Sequence, residues 1–207
     1  MTIRNAYTNW ATTYDSDRNL TRDLDALVTR NTLGQQRYIS ILELGCGTGK
    51  NTPFYASIAN AVCALDFSEG MIAQARAKLQ SNNVRFAIAD FTQPWPCANA
   101  SFDLVVCNLV LEHIADLNFI FAEVHRVLQP GGHFFSCELH PFKQYEGGKA
   151  TFHRDGEAIE IPAFVHHISD FLGAAESAGL ALNSLKEWWH EEDKKNAPRL
   201  VSFMFEK

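Results

Sequence analysis

The sequence predicts a doubly wound α/β fold around a mostly parallel sheet, and three observations predict it. Short β-rich runs alternate with helix-like segments through the first two thirds of the chain, one run enters a loop of alternating glycines, and two β-rich runs close the chain with no helix between them. Strands separated by helices pair in parallel through right-handed crossovers. The 207 residues suffice for one hydrophobic core plus a modest insertion, so a single domain over 1–207 is expected.

The β-rich runs are Tyr38–Leu44, Ala61–Leu65, Val84–Ala89, Phe102–Leu109 and Gly132–Leu139, each but the last soon followed by a helix-like segment. Ser68 is placed to cap a helix in which Met71, Ile72, Ala75 and Leu79 recur at helical spacing. Ile120, Val124, Val127 and Leu128 form a second stripe, ended by Pro130-Gly131-Gly132. After a helix at Ser169–Ala178, the runs Leu180–Trp189 and Leu200–Glu206 follow one another and predict an antiparallel hairpin at the sheet edge. The stretch 140–167 is an insertion at the C-terminal end of the fifth strand, where open α/β sheets bind ligands, and its Asp155-Gly156 between alternating residues signals a hairpin.

Composition narrows the function classes. Hydrophobic residues at 46% and charged residues at 20% exclude a disordered chain. A formal net charge of -6, with no run of Lys or Arg, argues against a nucleic-acid partner and for a small-molecule one. Five cysteines without a C-x-x-C pair fit neither a disulfide framework nor a zinc site, so no metal is expected. The first residues lack the basic-then-apolar order of an export signal and no stretch is apolar enough for a membrane span, so a cytoplasmic chain is expected. The sequence does not fix an oligomeric state.

The most informative segment is Glu43-Leu44-Gly45-Cys46-Gly47-Thr48-Gly49, with a helix start at Thr52-Pro53. Glycines there let the backbone turn sharply and approach a ligand, although a ligand-free strand–helix turn has the same pattern. Lys50 stands where a dinucleotide fingerprint needs its third glycine, so a bound pyrophosphate is disfavoured. Asp66 ends the second strand about twenty residues on, where an acid meets a ribose in nucleoside-binding folds. Asp90 ends the third, placed to accept from an adenine amino group while Phe67 and Phe91 cover the ring faces.

These segments resemble, in order, the motifs of the class I S-adenosylmethionine-dependent methyltransferase family. Glu43 to Gly49 matches the first motif, Leu65-Asp66-Phe67-Ser68-Glu69-Gly70-Met71 is similar to the second, and Ala89-Asp90-Phe91 to the third. Phe102-Asp103-Leu104-Val105-Val106-Cys107-Asn108 with Leu111-Glu112-His113-Ile114 resembles the fourth, and Val124 to Gly132 the fifth. The resemblance, which runs from about Tyr7 to the end, implies a Rossmann-like sheet of seven strands with an antiparallel last strand. It implies S-adenosylmethionine as cofactor, with Glu43, Gly45 and Gly47 along its methionine part, Asp66 at the ribose, and Asp90 and Phe91 at the adenine. Phe67, Met71 and Tyr14 join this cofactor set, and Asn108 is expected near the amino-acid moiety or the acceptor. Asp103, at the far end of its strand, reads as structural.

The N-terminal stretch 1–35 is similar to the family's helical lid, with Trp10 and Tyr14 placed to close the site. A sulfonium already activates its methyl group, so the protein chiefly aligns a nucleophile and excludes water. A hydroxyl or ammonium acceptor also needs a base. Candidates follow the fourth and fifth strands: Glu112 and His113, then Glu138 and His140, with His113, Glu138 and His140 as the catalytic set. Trp188, Trp189 and the phenylalanines near the insertion hint at an apolar acceptor pocket. The expected function is direct methyl transfer to a small organic molecule; RNA or protein methylation and a non-catalytic S-adenosylmethionine-binding module remain open.

Overall fold

The computed structural model describes residues 2–148, 150–154, 157–193 and 196–207. Helices α1 (Ile3–Trp10) and α2 (Leu20–Leu33) precede an alternating series: β1 (Tyr38–Leu44), α3 (Thr52–Ile58), β2 (Ala59–Asp66), α4 (Glu69–Lys78) and β3 (Val84–Ile88). There follow β4 (Phe102–Asn108), a 3₁₀ turn Leu111–His113, α5 (Leu117–Val127), β5 (Leu128–Leu139) and α6 (Pro141–Tyr145). A hairpin of β6 (Thr151–Arg154) and β7 (Glu157–Glu160), then α7 (Ile168–Ser177), β8 (Ala181–Trp188) and β9 (Leu200–Glu206), complete the described elements.

The seven-stranded sheet runs β3-β2-β1-β4-β5-β9-β8. Strands β1 to β5 pair in parallel, and β9 is antiparallel to both β5 and β8. Strand order reverses between β1 and β4, which opens a crevice at the C-terminal ends of those strands. Side chains alternate across the sheet. Leu42, Val105, Phe134 and Phe203 bury one face under α5 and α7, whereas Ile41, Leu104, Val106 and Phe135 bury the other under α2, α3 and α4.

Ser68 caps α4 as expected, its Oγ accepting from the Met71 N–H. Asp103 ties the start of β4 to β1 by accepting from the Ile39 and Ser40 N–H groups. The expected antiparallel hairpin stands at the sheet edge, with β9 between β5 and β8 and β8 outermost. Two expectations need correction. No helix follows β3; Pro94 and Pro96 prevent one, and buried Trp95 covers the sheet there, held by N–H donation to Glu123 and to the Phe91 carbonyl. Leu128 belongs to β5, so the fifth strand begins before Pro130-Gly131-Gly132. The insertion does contain an antiparallel hairpin, while its Asp155-Gly156 turn lies outside the described residues.

Candidate active site

A cavity of about 500 Å³ opens over the crevice between β1 and β4. Its floor is the glycine loop after β1. Gly45, at φ 70°, takes the left-handed conformation, and a Cβ there would stand 2.1 Å from Val110 Cγ2. The backbone thus passes as close to the loop after β4 as a glycine permits. Gly47 turns its N–H onto Asp66 Oδ2 at 2.9 Å, and the Ser68 N–H meets Oδ1 at 2.8 Å, so the carboxylate at the end of β2 is fixed from both sides.

Buried acids line this floor. Glu43 accepts from the Thr52 hydroxyl at 2.8 Å, and burial pushes its carboxyl up to about 8. Burial likewise pushes Asp66 up to about 6, against the lowering effect of its backbone donors. Asn108, at the end of β4, donates to Asp25 Oδ1 at 2.6 Å and to the Thr29 hydroxyl, and accepts from the Tyr55 hydroxyl. Asp25 also receives the Asn51 amide at 2.9 Å. The end of β3 supplies Asp90 and Phe91 to the wall, and Met71 and Phe67 face the same space from the second motif. Asp90 accepts from the Thr92 N–H and hydroxyl and pairs with Arg4 at 3.1 Å; these partners hold its carboxyl below the usual range.

Helix α2 adds a cation that the sequence reading missed. Arg22 is buried against Tyr14, its guanidinium carbon 4.0 Å from the ring centroid, and donates to the Tyr14 and Asp17 carbonyls. Its Nε is buried without a hydrogen-bond partner among the described residues, although the side chain lines the cavity. A buried guanidinium donor left unpaired is costly, so an anionic group in the cavity would offset that cost if it reached Arg22. Arg22, Asp25 and Thr29 recur at helical spacing beside the apolar Leu24 and Val28. That pattern was the available signal; by itself it reads as an ordinary solvated face.

The roof and acceptor side come from α1 and the turn after β4. His113 Nδ1 lies 3.0 Å from the Pro162 carbonyl, which can only accept, so Nδ1 carries the proton and Nε2 accepts from the Tyr7 hydroxyl at 2.7 Å. Burial lowers the imidazole and raises the Tyr7 phenol. His113 and Tyr7 both line the cavity, but the other two members of the catalytic set do not. Glu138 is still inside β5, where Oε2 accepts from the Val110 and Leu111 N–H groups and so shapes the turn that carries His113. His140 caps α6 and pairs with Glu187 at 3.0 Å. Tyr14 faces the cavity, whereas Trp10 packs beside it with Ala6 and Ile161, its indole N–H on Asp17. Trp188 donates to Ser202, Trp189 to the Asn196 carbonyl, and neither lines the cavity.

The fold and these residues define a doubly wound α/β protein whose strand-end crevice carries an acidic floor and an aromatic roof. Residues 42–136 match the model of the methyltransferase domain family. A malonyl-[acyl-carrier protein] O-methyltransferase from Pseudescherichia vulneris is 34% identical over 61% of this chain and 49% of the relative. The thiol S-methyltransferase TMT1A of Homo sapiens is 35% identical over 51% of this chain and 44% of its own length. The chain therefore spans about half the length of these curated relatives. Among solved structures, the N-methyltransferase NodS from Bradyrhizobium japonicum WM9, in complex with S-adenosyl-L-homocysteine, superposes with a TM-score of 0.74 at 16% identity, covering 100% of this chain and 99% of that one. The chain belongs to the class I S-adenosylmethionine-dependent methyltransferases.

Proposed function

We propose that the cavity binds S-adenosylmethionine and that the chain methylates a small organic acceptor bearing a removable proton. The observation that carries this reading is one cavity lined by Arg22, whose buried guanidinium Nε is unpaired among the described residues, together with Asp66, Asp90 and Phe91. The cavity lies within the roughly 300–1,000 Å³ range of small-molecule sites. When bound, the cofactor supplies a methyl group already activated on a cationic sulfur. Arg22 would hold its carboxylate, Glu43 its amino-acid part, Asp66 the ribose hydroxyls, and Phe67, Met71 and Phe91 the adenine. Asp90 would take the adenine amino group in exchange for Arg4.

On the acceptor side, the chain's own work is to exclude water and take a proton. Helix α1 covers the cavity, and Tyr7 Oη keeps lone pairs for an acceptor X–H while its proton points at His113 Nε2. This favours a thiol, hydroxyl or ammonium as acceptor, a set that includes the thiol group named for one relative, whereas a malonyl carboxylate, already ionised near neutrality, would need only alignment. The test is formation of S-adenosylhomocysteine by purified chain across a panel of short malonyl thioesters, alkyl thiols and amines. Turnover with at least one class, reduced tenfold or more in Tyr7→Phe, supports the reading. Cofactor binding with no turnover on any class would leave a binding module instead.

A further inference from the structure

We propose that Glu112 is a positioning residue for the acceptor-side proton transfer: its buried carboxylate is the counter-charge that lets His113 accept and hold a proton. The inference rests on the methyltransferase reading for its purpose, but not for its test. Glu112 and His113 are neighbours in one 3₁₀ turn, and their side chains are 9% and 8% exposed. Glu112 Oε1 lies 3.8 Å from His113 Nε2, the nitrogen that faces Tyr7. Glu112 Oε2 is buried with no hydrogen-bond partner among the described residues. A carboxyl serving only to fasten the turn would use both oxygens, and the fastening is done elsewhere: the Glu112 carbonyl accepts from the Phe164 N–H at 2.7 Å, and Glu138 holds the Val110 and Leu111 N–H groups.

The acceptor's X–H proton passes to Tyr7 Oη as the phenolic proton passes to His113 Nε2. The X–H electron pair stays on X, which becomes the nucleophile, and the imidazole becomes an imidazolium with Nδ1–H still on the Pro162 carbonyl. A buried imidazolium without a counter-charge is disfavoured. Glu112 supplies that charge when ionised, and the proton leaves to solvent after product release. Burial raises Glu112 to about 7, with Gln144 lowering it, and burial depresses His113, with the Pro162 carbonyl opposing, so the carboxylate charge is in place above about pH 7. The other groups facing the pair are the Tyr7 phenol from α1, the Gln144 amide from α6, the fully buried Glu138 from β5, whose proton affinity is raised by burial and by the Glu112 charge, and His166, whose ring bonds the Ile114 carbonyl. Among the described residues no Lys or Arg pairs with Glu112.

The test is NMR titration of the ligand-free chain, following the His113 imidazole carbons, assigned by their loss in His113→Gln. In the wild type the His113 carbons should show a step as Glu112 titrates near pH 7, and in Glu112→Gln that step should vanish, leaving one transition at lower pH. The same His113 titration curve in wild type and in a Glu112→Gln variant with a native, dispersed spectrum overturns the proposal. Should Glu112→Gln fail to fold, the wild-type Glu112 side-chain carboxyl carbon decides: a shift at the His113 midpoint supports coupling, and its absence there overturns it. Calorimetry with S-adenosylmethionine is run separately, so a failed cofactor reading and a failed Glu112 role give different results.

Discussion

Arg22 and Glu43 are both buried and line the same cavity, yet they make opposite predictions. Arg22→Met should weaken S-adenosylmethionine about 10–100-fold, the effect of losing a charged hydrogen bond worth about 1.5–3 kcal/mol. It should leave 5′-methylthioadenosine, which lacks the amino-acid part, bound as before; calorimetry with both ligands checks it. Glu43→Gln should cost cofactor affinity yet raise the melting temperature of the ligand-free chain at pH 8, because a carboxyl pushed up to about 8 by burial is partly ionised there without a cation to face. At this scale Glu43, Asp66 and Asn108 were legible as cavity-lining residues, since Asp66 and Asn108 close their strands and Glu43 stands one residue before the end of β1, beside the glycine loop. Arg22 and Asp25 were not, because a polar stripe on a helix has the same spacing whether it faces water or a cavity. Glu138 was assigned to the acceptor side because it is close in sequence to the end of β5; pairing with β9 continues to Leu139, so the residue remains within the sheet.

Helix α1 contributes Ile3, Arg4 and Tyr7 to the cavity lining and is the proposed lid over it. Arg4 meets Asp90, Tyr7 meets His113, and the Thr8 hydroxyl meets the Ser68 hydroxyl at 3.0 Å. Gly70 of α4 makes the close approach possible: a Cβ there would lie 3.0 Å from the Thr8 carbonyl and 3.3 Å from Ala11 Cβ. Gly70→Val should therefore push α1 outward, speeding amide hydrogen exchange in residues 3–10 by tenfold or more while β1, β4 and β5 stay protected. Uniform loss of protection would instead mean that α1 is integral to the core. The sheet elements themselves were legible to within a few residues because strand period and helix period differ. The absent helix after β3 was harder to read, since a buried Trp95 occupying a helix's place leaves no periodic trace.

For the whole molecule, the balance of buried acids sets a pH dependence. Glu43, Asp66 and Glu112 all have raised proton affinities in the folded chain, to about 8, about 6 and about 7. Between about pH 4 and 8 the folded state thus binds more protons than the unfolded one, so the contribution of these groups to stability is complete below their unfolded values and is lost as pH rises through the folded ones. The melting temperature of ligand-free chain should fall from pH 6 to pH 8, and Glu43→Gln should flatten that slope. A cationic ligand favours the ionised acids, so cofactor binding should release protons, visible as a binding enthalpy that varies with the buffer's ionisation enthalpy. The motif order made the crevice legible in advance; the acid-rich floor closed by α2 was not, because it is assembled from segments more than eighty residues apart, as in the Asn108–Asp25 bond. The most direct test of the account is calorimetric titration of wild type and Asp66→Ala with S-adenosylmethionine, after stripping any carried-over ligand. Saturable one-site binding by the wild type, weakened tenfold or more in a folded Asp66→Ala, is the predicted result. No binding by folded wild type, or equal affinity in the two, would contradict the assignment of the cavity.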